Sequence, residues 1–165
     1  MFNRIASRII AVRERRSPDF TIGSADDPYL RRWWLIPRNR FFNIYLHNIV
    51  RSDDDRALHD HPWINLSILL RGAYIEIIPG GFKLRTAGDM VLRGPRARHR
   101  LQLITAEQMP QSHADFPHLT GECWTLFITG PRMRDWGFWC PQGFVPWQKF
   151  TSPAAKGEIG KGCDQ

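Results

Sequence analysis

The chain reads as all-β, a small antiparallel barrel or jelly roll carrying a short N-terminal helix. Three observations predict this. Between positions 42 and 129, short apolar runs alternate with glycine-bearing turns at Arg71-Gly72, Pro79-Gly80-Gly81, Gly88-Asp89 and Gly94-Pro95, the punctuation of a meander of short strands. His59 and His61 are followed by Trp63, Asn65 and Ser67 at alternate positions, so a strand through this run presents both imidazoles on one face. Phe2, Ile5, Ile9 and Val12 recur at spacings of three and four among arginines, the stripe of an amphipathic helix closing near Ser17-Pro18.

The elements follow in order. Positions 21–37 read as irregular, with Asp26-Asp27-Pro28 as a turn and Trp33-Trp34 as packing anchors. Positions 42–51 form a strand, and Ser52-Asp53-Asp54-Asp55 is a solvated turn lacking the alternating oxygen donors and distal glutamate of a calcium loop. In the histidine strand, Ile64, Leu66, Ile68 and Leu70 make the outward face apolar as well, so something must cover it; this row and the seven tryptophans predict a homodimer. Strands over 73–78, 82–85 and 90–93 follow, then His99, Leu101 and Leu103 at alternate positions. A polar loop over 105–122 is long enough for a lid or rim, 124–129 is the last clear strand, and the aromatic segment from Trp136 to Trp147 wraps the barrel.

At 165 residues, 42% hydrophobic and 12% aromatic, the chain holds one core. The expected organisation is a helix over 1–20, a barrel domain over 21–150 and a flexible tail over 151–165. No apolar run reaches the length of a membrane span and the start lacks a secretory pattern, so a cytoplasmic protein without a membrane partner is expected. The arginine-bearing amphipathic start is also the pattern of a transit peptide or a membrane-surface helix. Cys123, Cys140 and Cys163 are odd in number and widely spaced, with no Cys-x-x-Cys, so free thiols are expected. The net charge of +7 steers any anion. The charge is compatible with a phosphorylated or carboxylated small substrate and equally with a solvated basic surface, and a nucleic-acid partner lacks a basic recognition helix, zinc finger or ribonucleoprotein motif.

His59 and His61 make a chelating pair, and His99 supplies a third imidazole after the next glycine turns. Three neutral nitrogens suit a divalent transition metal (Fe, Zn, Ni or Mn) and leave coordination positions open. The spacing resembles the two motifs of the cupin superfamily. His59, His61 and Gly72 fall on motif places of the first, with Asn65 where the glutamate belongs and Asp53 in the place of the leading glycine. Gly88 and His99 fall on places of the second, where Gly94, Arg96 and Leu103 depart from the pattern. The resemblance spans roughly positions 41–150. It implies a metal held by His59, His61 and His99, as in cupins that use three histidines without the glutamate, and oxygen-dependent cleavage or metal-assisted isomerisation of a small polar molecule. It equally accommodates a non-catalytic or metal-free binding barrel.

Around that centre, Asn65 reads as a hydrogen-bonding neighbour of a histidine or water, with direct ligation as the alternative. Glu76 shares a strand face with Tyr74 and is the nearest carboxylate able to serve as ligand or general base. Trp63, Asn65, Tyr74 and Arg96 are the expected pocket residues, Arg96 being the arginine near His99 placed to grip a substrate anion. Arg98 and Arg100 face away by alternation, and His47, His113 and His118 are assigned surface or structural roles, with the barrel mouth as the alternative place for His47.

Overall fold

A computed structural model describes residues 2–24, 26–53, 57–105, 108, 121–151 and 160–164. The helix α1 (Phe2–Glu14) precedes the strands β1 (Phe20–Gly23), β2 (Pro28–Trp34), β3 (Asn43–Ile49), β4 (Leu58–His59), β5 (Asn65–Arg71), β6 (Ala73–Ile78), β7 (Gly81–Thr86), β8 (Met90–Arg93), β9 (Arg100–Leu103), β10 (Cys123–Thr129), β11 (Gly137–Cys140) and β12 (Gly143–Pro146), with a closing helical turn α2 (Trp147–Phe150). Most of the expected 105–122 loop, with His113 and His118, lies outside the described residues, as do Asp54, Asp55 and 152–159.

Six strands form one antiparallel sheet in the order β1-β2-β3-β10-β5-β8. The others form two three-stranded sheets, β12-β11-β4 and β7-β6-β9. These meet where His59 and His99 face each other as an antiparallel bridge, so they make a second layer. Leu30, Ile49, Leu69 and Cys123 of the first layer pack with Tyr74, Leu101 and Leu103 of the second. The fold class is as the sequence predicts, a mostly antiparallel β protein with one short N-terminal helix.

Side-chain alternation sorts each strand of the first sheet between core and helix. Along β3, Leu46 joins Trp33, Leu70 and Trp124 on the outer face beneath Ala6 and Ile10 of α1, while the neighbouring Tyr45 and His47 point to the other side. Burying both faces explains why 21–37 was illegible as strand. Tyr29-Leu30-Arg31-Arg32-Trp33-Trp34 shows no apolar–polar alternation because α1 covers one face and the interior the other. Instead of irregular chain it forms β2, paired with β1 through Phe20↔Arg32 and with β3 through Arg32↔His47.

The single histidine strand of the sequence reading is also corrected. β4 ends at His59 in the second layer, and β5 begins at Asn65 in the first. Pro62 lies in the crossing between them; it has no N–H to donate to a ladder and restricts the residue before it to extended geometry, so the chain changes sheets there. Gly72 then carries the tight β5–β6 turn at φ +87°, where a Cβ would stand 2.3 Å from the Glu122 carbonyl oxygen. Of the outward row, α1 covers Ile68 and Leu70, and Ile64 stays 46% exposed.

The expectation of three free thiols is overturned, since Cys140 and Cys163 form a disulfide and Cys123 is the free, buried one. Cys163 reaches Cys140 because Gly160 and Gly162 donate their N–H groups to the Phe150 carbonyl, folding residues 160–164 back onto Ala57, Val145 and Phe150. Linear spacing cannot show such a return.

Candidate metal centre and its cavity

The three histidines converge from three separate pieces of chain: His59 ends β4, His61 lies in the crossing, and His99 precedes β9. His59 and His99 exchange both backbone hydrogen bonds at 2.9 Å, and that pairing sets their rings 4.8 Å apart. The His61 ring lies 5.2 Å from each. One donor atom from each falls within 4.8 Å of the others, and the Nε2 atoms of His61 and His99 are 3.0 Å apart. Bonds of about 2 Å in a tetrahedral site place donors roughly 3.3 Å from one another; the His61–His99 pair matches this at 3.0 Å, and the third imidazole lies within 4.8 Å, close enough to complete a set for a small divalent ion.

What stands behind the rings supports that fit. Glu76 Oε1 is 3.2 Å from His99 Nδ1, and Asp53 Oδ2 is 3.7 Å from His59 Nδ1. At 3.7 Å Asp53 is too far to hydrogen-bond His59, and His99 Nδ1 makes no aligned hydrogen bond among the described residues, so the two carboxylates stand behind the rings as negative charge beside the centre. Burial, together with His59 and His99 beside it, holds His61 well below the usual imidazole value. Burial lowers His99 to about 4 despite the raising effect of Glu76. Both rings are thus neutral at pH 7, the form in which imidazole ligates.

Glu76 is buried and does not line the cavity. Its Oε2 accepts from Arg85 Nε at 2.8 Å, and its Oε1 accepts from Arg93 Nε at 2.8 Å and from Arg93 Nη2. Burial raises its pKa, but His99 beside it and the two guanidiniums reverse this and hold the carboxyl well below its usual range. That makes it a poor proton acceptor. The structure puts it behind His99 and away from the position of a base facing the ligand.

A cavity of about 570 Å³ opens between the sheets against the three histidines. Of the expected pocket residues, Trp63 and Tyr74 line it, whereas Asn65 and Arg96 do not. Arg96 is exposed; it sits in the turn before His99, outside the space between the layers, which corrects its assignment to the pocket. Asn65 is 1% exposed, and neither atom of its amide has a hydrogen-bond partner among the described residues.

Sequence reading missed four contributors. Asp53 belongs to no solvated turn: it accepts hydrogen bonds from the Tyr29 hydroxyl and from Leu101 N, the latter at 2.6 Å. Asp60, fully buried between the histidines, accepts from Arg134 Nη1 at 2.6 Å, Trp139 Nε1 at 3.0 Å and Gly137 N at 3.1 Å, and so binds β11 to the histidine segment. Arg32 and His47 line the cavity from β2 and β3. For His47, alternation with Tyr45 and Ile49 was the available signal; for the aspartates, no local pattern distinguishes a buried acceptor from a turn residue.

No protein-family model and no curated protein sequence matches the chain. Among solved structures, a cupin-like protein of Thermotoga maritima is similar with a TM-score of 0.51 at 16% identity, over 82% of this chain and 92% of that one. The chain has the cupin fold. An RmlC-like cupin of Ralstonia eutropha is similar at TM-score 0.48 and 13% identity, over 78% and 74% of the two chains. The DMSP lyase DddQ of Ruegeria pomeroyi is similar at 0.46 and 13%, over 70% and 54%. Within this cupin fold the three histidines occupy one wall of the cavity, and no helix among the described residues is long and apolar enough to cross a membrane.

Proposed function

We propose that this cupin binds one divalent transition metal (Fe, Zn, Ni or Mn) through His59, His61 and His99 and acts on a small polar molecule held in the adjoining cavity. The observation that carries the reading is the convergence of three imidazoles, two of them with carboxylates behind, on the wall of a cavity of small-molecule size. Such an ion, when bound, supplies a Lewis acid or a site for oxygen chemistry.

The chain's own residues do the rest. The backbone bridge between His59 and His99 fixes where their rings start, and Glu76 and Asp53 place negative charge behind them. Trp136, Phe138 and Trp147 form an apolar wall that excludes water from the ligand. Asp53 is the single carboxylate among the lining residues, and it is engaged by Tyr29 and Leu101 N. A base-driven isomerisation therefore has no unengaged carboxylate among the described lining residues, which favours oxygen-dependent cleavage.

Metal analysis of protein purified without an affinity tag, followed by titration of the metal-stripped protein with each of the four ions, tests the reading. Close to one equivalent is expected, lost in His61→Ala and in His99→Ala and retained in Asn65→Ala. Unchanged metal content in the two histidine variants overturns it, as does the absence of binding by all four ions. Metal loss in Asn65→Ala makes Asn65 part of the centre.

A further inference from the structure

We infer that Arg32 is a carboxylate-binding subsite, and that the small molecule taken by this cavity is an organic acid with a compact apolar body. This deepens the proposed function and rests on it only for what lies at the other end of the molecule, against the three histidines.

Arg32 lies opposite His47 in the β2–β3 ladder and lines the cavity. Its Nε donates to His47 Nε2 at 2.8 Å, and its guanidinium lies over the Tyr45 ring at 4.9 Å. The His47 ring is itself stacked, 5.0 Å from Phe127 and 5.9 Å from Tyr45, so the arginine is held by a rigid support. Using Nε in this way leaves the paired Nη edge, the face of the fork that matches a planar carboxylate bidentately.

Charge makes the argument specific. Other arginines near the core have acidic partners, Arg85 and Arg93 on Glu76 and Arg134 on Asp60. Among the described residues no carboxylate lies within ion-pair distance of Arg32. Burial lowers its pKa to about 10, which still leaves it charged at pH 7. A half-buried cation beside a neutral histidine lacks a counter-ion among the described residues, and an anionic ligand would supply one. Position completes the case: His61 is 5.7 Å from Phe127, the ring on which His47 stacks, so the guanidinium and the histidine centre share one wall. The remaining surfaces, Phe20, Ile22, Phe127, Trp136 and Phe138, suit an apolar body. Arg38 also lines the cavity, so benzoate and inorganic phosphate as probes decide between a carboxylate and a phosphate.

The test uses the intrinsic fluorescence of Trp63, Trp136 and Trp147, which line the cavity, with benzoate, its neutral isostere benzamide and inorganic phosphate as probes. Saturable benzoate binding is expected, with benzamide and phosphate weaker by about tenfold or more. Arg32→Gln should weaken benzoate roughly 10–100-fold, the scale of a charge-assisted bidentate contact, without changing benzamide. Should Arg32→Gln fail to fold, Arg32→Lys, which keeps the charge and loses the fork, should still lose at least several-fold. Equal binding of benzoate and benzamide, undiminished benzoate binding in a folded Arg32 variant, or preferential binding of phosphate overturns the inference. The same titration on chelator-treated protein and on His61→Ala separates the two readings, because benzoate binding that persists without metal upholds the subsite even if the metal centre fails.

Discussion

Glu76 stands 3.2 Å behind His99 Nδ1 while two guanidiniums hold its other lone pairs. One carboxylate therefore lies against a candidate ligand and neutralises Arg93, which is itself only 6% exposed.

Glu76→Gln should act on both roles. Losing the charge leaves Arg93 buried without its counter-ion, which costs about 3 kcal/mol, and takes the negative charge from behind His99, which costs roughly 10–100-fold in metal affinity. Denaturant unfolding of the metal-stripped protein and competitive metal titration measure the two separately. Unchanged affinity would show that His99 is positioned by its backbone bridge to His59 alone.

Stability should fall as pH drops below about 6.5. Burial, then the Arg32 charge, holds His47 well below the usual imidazole value, and His61 and His99 are lowered as well. The unfolded chain takes up protons at these sites while the folded chain does not, so each contributes stability that declines by about 1.4 kcal/mol per pH unit until its folded pKa is reached. Glu76, lowered in the fold, adds its own loss from about pH 4.5 downward. His47→Gln should reduce the slope between pH 6.5 and pH 5 by about one proton, measured from denaturant midpoints; an unaltered slope would mean that His47 titrates normally.

The Cys140–Cys163 pair closes a separation of 23 residues. A crosslink of that size restricts the unfolded chain by about 3 kcal/mol. Cys163→Ser, or wild type under reductant, should unfold at correspondingly lower denaturant, and thiol counting under denaturing non-reducing conditions should find one free thiol per chain. Three would show that the cysteines do not pair.

A dimer through the β8 edge is the expected assembly. Met90 is 63% and Leu92 72% exposed on the outer face beside Ile64, where α1 does not reach and β8 ends the sheet. Light scattering at about 20–50 micromolar should report twice the chain mass, reduced to one chain by Leu92→Glu, since an edge strand with apolar side chains invites pairing. A monomeric wild type would show that the strip is simply exposed surface.

The histidine positions, the glycine turns, the strands after Gly72 and the existence of the N-terminal helix were legible in the chain, because periodicity and turn chemistry are local properties; the docking face was not, since α1 packs through Ala6 and Ile10 and leaves Phe2, Ile5 and Val12 of the expected stripe exposed. That Glu76 shares a strand face with Tyr74 was legible, but not that it turns to Arg85, Arg93 and His99 instead of lining the cavity. Tertiary structure alone decided that Pro62 sends the chain to another sheet, that Asp53 and Asp60 are buried acceptors, that Arg32 and not Arg96 meets the cavity, and that Cys163 returns to Cys140. Each depends on which distant strand lies opposite. Hydrogen-bond partnership, desolvation and cysteine pairing are properties of pairs remote in sequence, set only when the two sheets close over the interior.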